Sequence, residues 1–261
     1  MATVSKTVSL INDMASLLRE KGFVVSTKPL ESVIEQVNMW TPGGKHPLKY
    51  SLSGLEFVNA IPQYIRGNEW LDKFTLKLDV EVTVTNDEFT FENVKELTIN
   101  IHYDAQHCKG HPCKGAWHLD LHVPSSHDQI KKKKKKAATV EPFDPTRFMH
   151  PDYHFHHGGK KLDSLDSYGN IILLDTPRVM HHPLDILLAI DFVVSNFVFS
   201  ETWNDLRNEI RYKKIIEQAQ EWWWKPYYEA LGNYWGSKAN HKAKNAQDNM
   251  VLSKKLNPHL I

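Results

Sequence analysis

The sequence predicts an α+β fold, an antiparallel β-meander of roughly four to five strands with an N-terminal helix and C-terminal helices packed on one face. Three observations carry this. A helical spacing opens the chain, a period of two runs through its middle, and long apolar helical stretches close it. At 261 residues and 41% hydrophobic, the chain is long enough to bury a large core.

In order, Val8, Leu10, Ile11, Met14, Leu17 and Leu18 predict a helix over 6–21, stopped at Gly22. A second short helix is expected over 30–39, and the Pro- and Gly-containing stretch 41–54 reads as loop. From Lys73 the pattern alternates, with Phe74, Leu76, Leu78, Val80, Val82 and Val84 on one side. Asn86-Asp87 turns the chain. Leu97, Ile99, Ile101 and Tyr103 then alternate with Thr98, Asn100, His102 and Asp104. A third strand alternates Trp117, Leu119, Leu121 and Val123 with His118, Asp120 and His122. Residues 124–149 read as a long Lys-rich excursion, longer than the roughly 12–15 residues usual in compact domains. Tyr153–His157 resumes the alternation and 170–174 is a further short strand. Pro183 suits a first helical turn before a core helix, and Ser200 suits the cap of the next. That helix carries Trp203, Leu206, Ile210, Ile215, Ile216, Ala219 and Trp222 and is expected to break at Pro226. The result is one α+β domain over 1–235 and a polar, fraying tail over 236–261.

The net charge of +1 hides six consecutive lysines, Lys131–Lys136. Without them 26 basic residues face 31 acidic ones, a balance of −5. The body thus lacks the broad basic surface of a duplex-binding protein. No apolar run reaches the roughly 18 residues of a membrane span, and the N-terminus lacks the pattern of a signal peptide, so a cytoplasmic protein with no membrane partner is expected.

Of 15 histidines, ten lie between His102 and His157. If the apolar sides of the strands face the helices, the other face carries His102, Asp104, His118, Asp120, His122, His154 and His156, with Asp79 and Glu81 beside them. Cross-strand neighbours stand about 4.5–5.5 Å apart, close enough for imidazoles and carboxylates to share one ion. His102, His118, His122, His154 and His156 are therefore the candidate ligands of a divalent transition metal such as Zn or Mn. Asp104 or Asp120 would serve as ligand, orienter or general base. Arg178 would bind a phosphate or carboxylate, or pair with Asp175 or Asp185. The competing reading is the wet side of a half-exposed sheet, although such faces usually carry Lys, Glu and Thr.

Cys108-x2-His111-x-Cys113-x4-His118 offers a second, less regular ligand spacing, with two loop thiols that are free, metal-bound or bridged. No nucleophile elbow, P-loop or dinucleotide fingerprint occurs. His154-Phe155-His156 is partly similar to histidine-triad hydrolases, without the third alternating histidine.

HPDYHFHHGG, followed by PRV, HPLD and an apolar helix, resembles uncharacterised bacterial families with an H-x-H-then-glycine segment, some in mobile-element or phage-defence neighbourhoods. The element order is also similar to the ubiquitin-conjugating (E2) fold. His150-Pro151-Asp152 resembles its H-P-N element and Gly169-Asn170-Ile171-Ile172-Leu173 its active-cysteine segment. Ile172 stands at the cysteine position, which removes that family's conjugating chemistry.

The leading expectation is a metal-dependent hydrolase of a phosphoester or nucleic-acid substrate, drawn in by Lys131–Lys136. The alternatives are a non-enzymatic interaction module that docks a protein through Trp222–Trp235, and a nucleic-acid-binding module.

Overall fold

A computed structural model describes residues 3–41, 46–58, 60, 71–85, 89–121, 152–157, 179–240, 242 and 244–257. Among these are six strands and six α-helices, with an antiparallel sheet in meander order. The strands are β1 (Leu48–Phe57), β2 (Leu71–Val84), β3 (Val94–His107), β4 (Pro112–Leu121), β5 (Tyr153–His157) and β6 (Val179–Met180). The helices are α1 (Val4–Glu20), α2 (Lys28–Met39), α3 (Ile186–Phe197), α4 (Ser200–Arg207), α5 (Ile210–Ala239) and α6 (Ala246–Leu256). Asn86-Asp87, His122, the 124–149 excursion with Lys131–Lys136, the 170–174 strand, Arg178 and most of the E2-like elements lie outside the described residues.

The alternation sorts the sheet into two faces. Leu76, Leu78, Val80, Val82, Leu97, Ile99, Ile101 and Leu119 are all buried in one core with α1, α2, α3 and α5. Fully burying such a side chain is worth about 1.5–3 kcal/mol. The helix α3 is buried nearly all round, from Ile186 to Ile190 and at Val193 and Val194.

The sequence reading errs in five places. Residues 48–54, read as loop, begin β1, whose buried Leu48, Tyr50 and Leu52 alternate with exposed Lys49, Ser51 and Ser53. The nearby Pro and Gly masked that period. Gly54 then sits at a bulge with φ +66°, a left-handed conformation that glycine adopts without strain. Pro183 lies upstream of α3, whose cap is Asp185. Ser200 is the first helical residue of α4 and makes no cap; the chain leaves helix at Asn208 and Glu209 before α5 starts. Finally, α5 runs straight through Pro226. An internal proline costs a helix about 3 kcal/mol, and here the flanking Trp223, Tyr227 and Ala230 are all buried, so packing outweighs the lost hydrogen bond. The expected fraying from Gly236 is replaced by the end of α5 and by α6. Ser253 of α6 is fully buried and donates through Oγ to the Ala230 carbonyl at 2.7 Å.

Asp185 holds the N-terminus of α3 by accepting the Leu188 N–H at 2.8 Å, yet it is buried. Burial pushes its carboxyl up to about 7, against the backbone hydrogen bonds that lower it. The native state keeps a proton that the unfolded chain has already lost, so stability declines as pH rises from the ordinary carboxylate range to about 7 and is level above that. Asp185→Asn keeps a capping oxygen without titrating. Its urea midpoint is therefore expected to change less than the parent's between about pH 5 and about pH 8.

Candidate functional site

Strand pairing sets the site. Asp79, Asn100, His118 and His156 lie in one cross-strand row; Glu81, Thr98, Asp120 and His154 form the next. Because side chains alternate, all eight share the face opposite the core.

Asp120 is the hub. Its Oδ2 lies 3.2 Å from His118 Nε2 and its Oδ1 2.8 Å from His154 Nε2. On its other side, His118 Nδ1 donates to Asn100 Oδ1 at 2.8 Å. His154 is 1% exposed and His118 9%, so this part of the face is not the wet side of a sheet. Burial raises the Asp120 carboxyl, but the hydrogen bonds from His118 and His154 and their charge outweigh it and hold it well below the usual carboxylate range.

His156 stacks on His154 with ring centroids 5.4 Å apart and lies 5.1 Å from His118. Its Nδ1–H donates to the His157 carbonyl at 3.2 Å, which leaves the Nε2 lone pair as the acceptor. Burial pulls its pKa below the ordinary histidine value. The ring is thus a neutral base near neutral pH.

A groove of about 530 Å³ crosses the same face from β1 to β4 and ends on Asp120. Lys49, Ser51, Glu81, Glu96, Thr98 and Asp120 line it. Lys49 and Ser51 come from β1, so reading that strand as loop concealed this part of the site. Asn100 was visible in the alternation of β3, but nothing in its residue type singled it out.

The remaining sequence candidates sit elsewhere. His102 faces Asp79, with Nε2 3.1 Å from Oδ2, while Asp79 Oδ1 accepts the N–H of Gly54 at the β1 bulge. Asp104 is four residues beyond Asn100 along β3, about 13 Å at the usual rise per residue, and pairs with Lys114 at 3.5 Å. It does not join the hub. His122 and Arg178 lie outside the described residues. Of the described members of the expected metal set, His118 and His154 each turn Nε2 onto a separate oxygen of one carboxylate. Among the described residues no group of three or more His, Cys, Asp or Glu could hold a metal ion. Cys108 and Cys113 are free and half-buried, with Cys108 Sγ 3.7 Å from His107 Nδ1.

The chain matches no protein-family model, no curated protein and no solved structure. No described helix is long and apolar enough to cross a membrane.

Proposed function

We propose that the buried histidine–carboxylate face is a hydrolytic acid–base site for a phosphoester of a hydroxyl-bearing group such as a nucleotide. One observation carries this reading: Asp120 anchors two imidazoles on its two oxygens, beside a third imidazole whose Nε2 lone pair is left as acceptor. Phosphoester hydrolysis has an oxygen nucleophile and an oxygen leaving group, so it needs a base and an acid together. His156 Nε2 takes the proton of the attacking water. His156, then protonated, returns that proton to the leaving oxygen, while buried His154, held by Asp120, fixes the His156 ring stacked on it. Glu81 and Thr98 in the groove suit sugar hydroxyls, and Lys49 supplies a cation. The metal-dependent form of the reading has no group of three or more donors behind it among the described residues.

The test is turnover of bis(p-nitrophenyl) phosphate and of a single-stranded oligonucleotide by the full chain. His156→Gln is expected to reduce turnover by about 10²- to 10⁴-fold, the usual contribution of a general base. Parent activity should rise with pH through the depressed His156 pKa and then hold level through neutrality. It should also survive a chelator. An inactive parent, or a His156→Gln variant as active as the parent, would sink the proposal.

A further inference from the structure

The second half of α5 presents a half-exposed seam. Trp224, Tyr228, Leu231 and Trp235 are spaced four, three and four residues apart, which places them in one stripe of the helix and matches the alternation of a coiled-coil core. Tyr228 is 52% exposed and Trp235 62%, while Trp224 and Leu231 are half-buried. A different stripe, Trp223, Tyr227, Ala230, Tyr234 and Ser237, is the one α5 buries. Large aromatics left outside on a regular seven-residue period mark an interaction surface.

The seam is rigid at its start. Trp224 Nε1 donates to the Pro183 carbonyl at 2.9 Å, and its ring meets the His182 ring at 4.3 Å. Tyr228 Oη lies 3.2 Å from His182 Nδ1. Beside this part runs a groove of about 800 Å³ lined by Leu10 of α1 and by Glu217, Glu221, Trp224, Lys225 and Tyr228.

We infer that a second copy of this chain packs antiparallel on this seam as a two-fold dimer. The seam is complementary to itself. A two-fold axis between Tyr228 and Leu231 sets Tyr228 against Leu231 of the second copy and Trp224 against Trp235 of the second copy. The same axis brings the next position at each end of the period into register: Glu221 meets Lys238 of the second copy, and Lys238 meets its Glu221. Both residues are exposed, and Lys238 already leans over the Tyr234 ring at 5.8 Å. The operation lays the second copy's Trp235 and Lys238 over the groove, where the indole has Trp224 and Leu10 as walls and the ammonium has Glu217 and Glu221. Gly232 flanks the seam with open space where a Cβ would stand, so the backbones can approach. A foreign partner would need none of this internal symmetry, whereas a two-fold dimer requires it. The inference is independent of the acid–base site.

The test is the mass of the full chain by light scattering and sedimentation over a concentration series. The expected mass at high concentration is twice the 30.2 kDa of the chain. Trp235→Asp should leave a monomer, with an unchanged melting curve in dilute solution because Trp235 is exposed. Glu221→Lys and Lys238→Glu should each weaken dimerisation by roughly tenfold or more, and the double variant should restore it. A parent that stays monomeric throughout, an assembly larger than a dimer, or a double variant no better than the single ones would overturn the inference.

Discussion

Asp120→Asn is expected to destabilise the protein by roughly 2–3 kcal/mol at neutral pH and far less in acid. Removing one partner from a fully buried ion pair costs about 3–5 kcal/mol, and the lower figure reflects a side chain that keeps 23% of its exposure. The sign with pH follows from the depressed carboxyl. A carboxylate whose folded pKa is lowered contributes stability that is present above the unfolded pKa and is lost as pH falls toward the folded one. Urea denaturation of parent and variant should therefore differ most near neutrality and converge below about pH 4. Asparagine has one accepting oxygen where the carboxylate has two, so either His118 or His154 loses its partner. A difference independent of pH would show that the carboxylate acts by shape and not by charge. Activity should fall as well, since His154 would no longer be held in place beneath the stacked His156 ring.

Much of this geometry could be read before the fold was seen, and the limits are physical. The period of two in β2, β3 and β4 forces Asn100, His102, His118 and Asp120 onto one face whatever the helices do, because a one-residue slip would turn the whole apolar set outward. Which nitrogen meets which oxygen depends on register and rotamer. The sequence therefore suggested five imidazoles around an ion, whereas His118, His154 and His102 are held by Asp120, Asn100 and Asp79, and His156 by the His157 carbonyl. Local breakers misled in both directions. The Gly and Pro before Leu48 hid a strand that pairs with β2 along most of its length, and Pro226 suggested a break where burial of its neighbours keeps the helix whole. In each case long-range packing overrode a local preference of at most a few kcal/mol.

Trp223→Ala tests that packing at the largest of the fully buried side chains among the described residues, and is expected to cost about 3–5 kcal/mol, the usual range for truncating a buried tryptophan. Trp223 is fully buried on the inner stripe of α5, three residues before Pro226. Its neighbours on that stripe, Tyr227 and Ala230, are held by other elements: Tyr227 meets the rings of Phe91 and Tyr153, and the Ala230 carbonyl accepts from Ser253 of α6. These contacts stop the helix from collapsing into the space an alanine would leave, so the cavity term should be large. Trp223 Nε1 has no hydrogen-bond partner among the described residues. The indole therefore stabilises the core by volume alone, and its buried N–H is a cost. Trp223→Phe removes that cost while losing less volume, so it should be clearly milder than Trp223→Ala, within roughly 2 kcal/mol of the parent. For a chain of this size each kcal/mol lowers the melting temperature by about 2–4 °C, so the alanine variant should melt roughly 6–20 °C lower. Equal losses for Ala and Phe would mean that the indole N–H has a partner, and a small loss for Ala would mean that α5 is held past Pro226 by something other than this stripe.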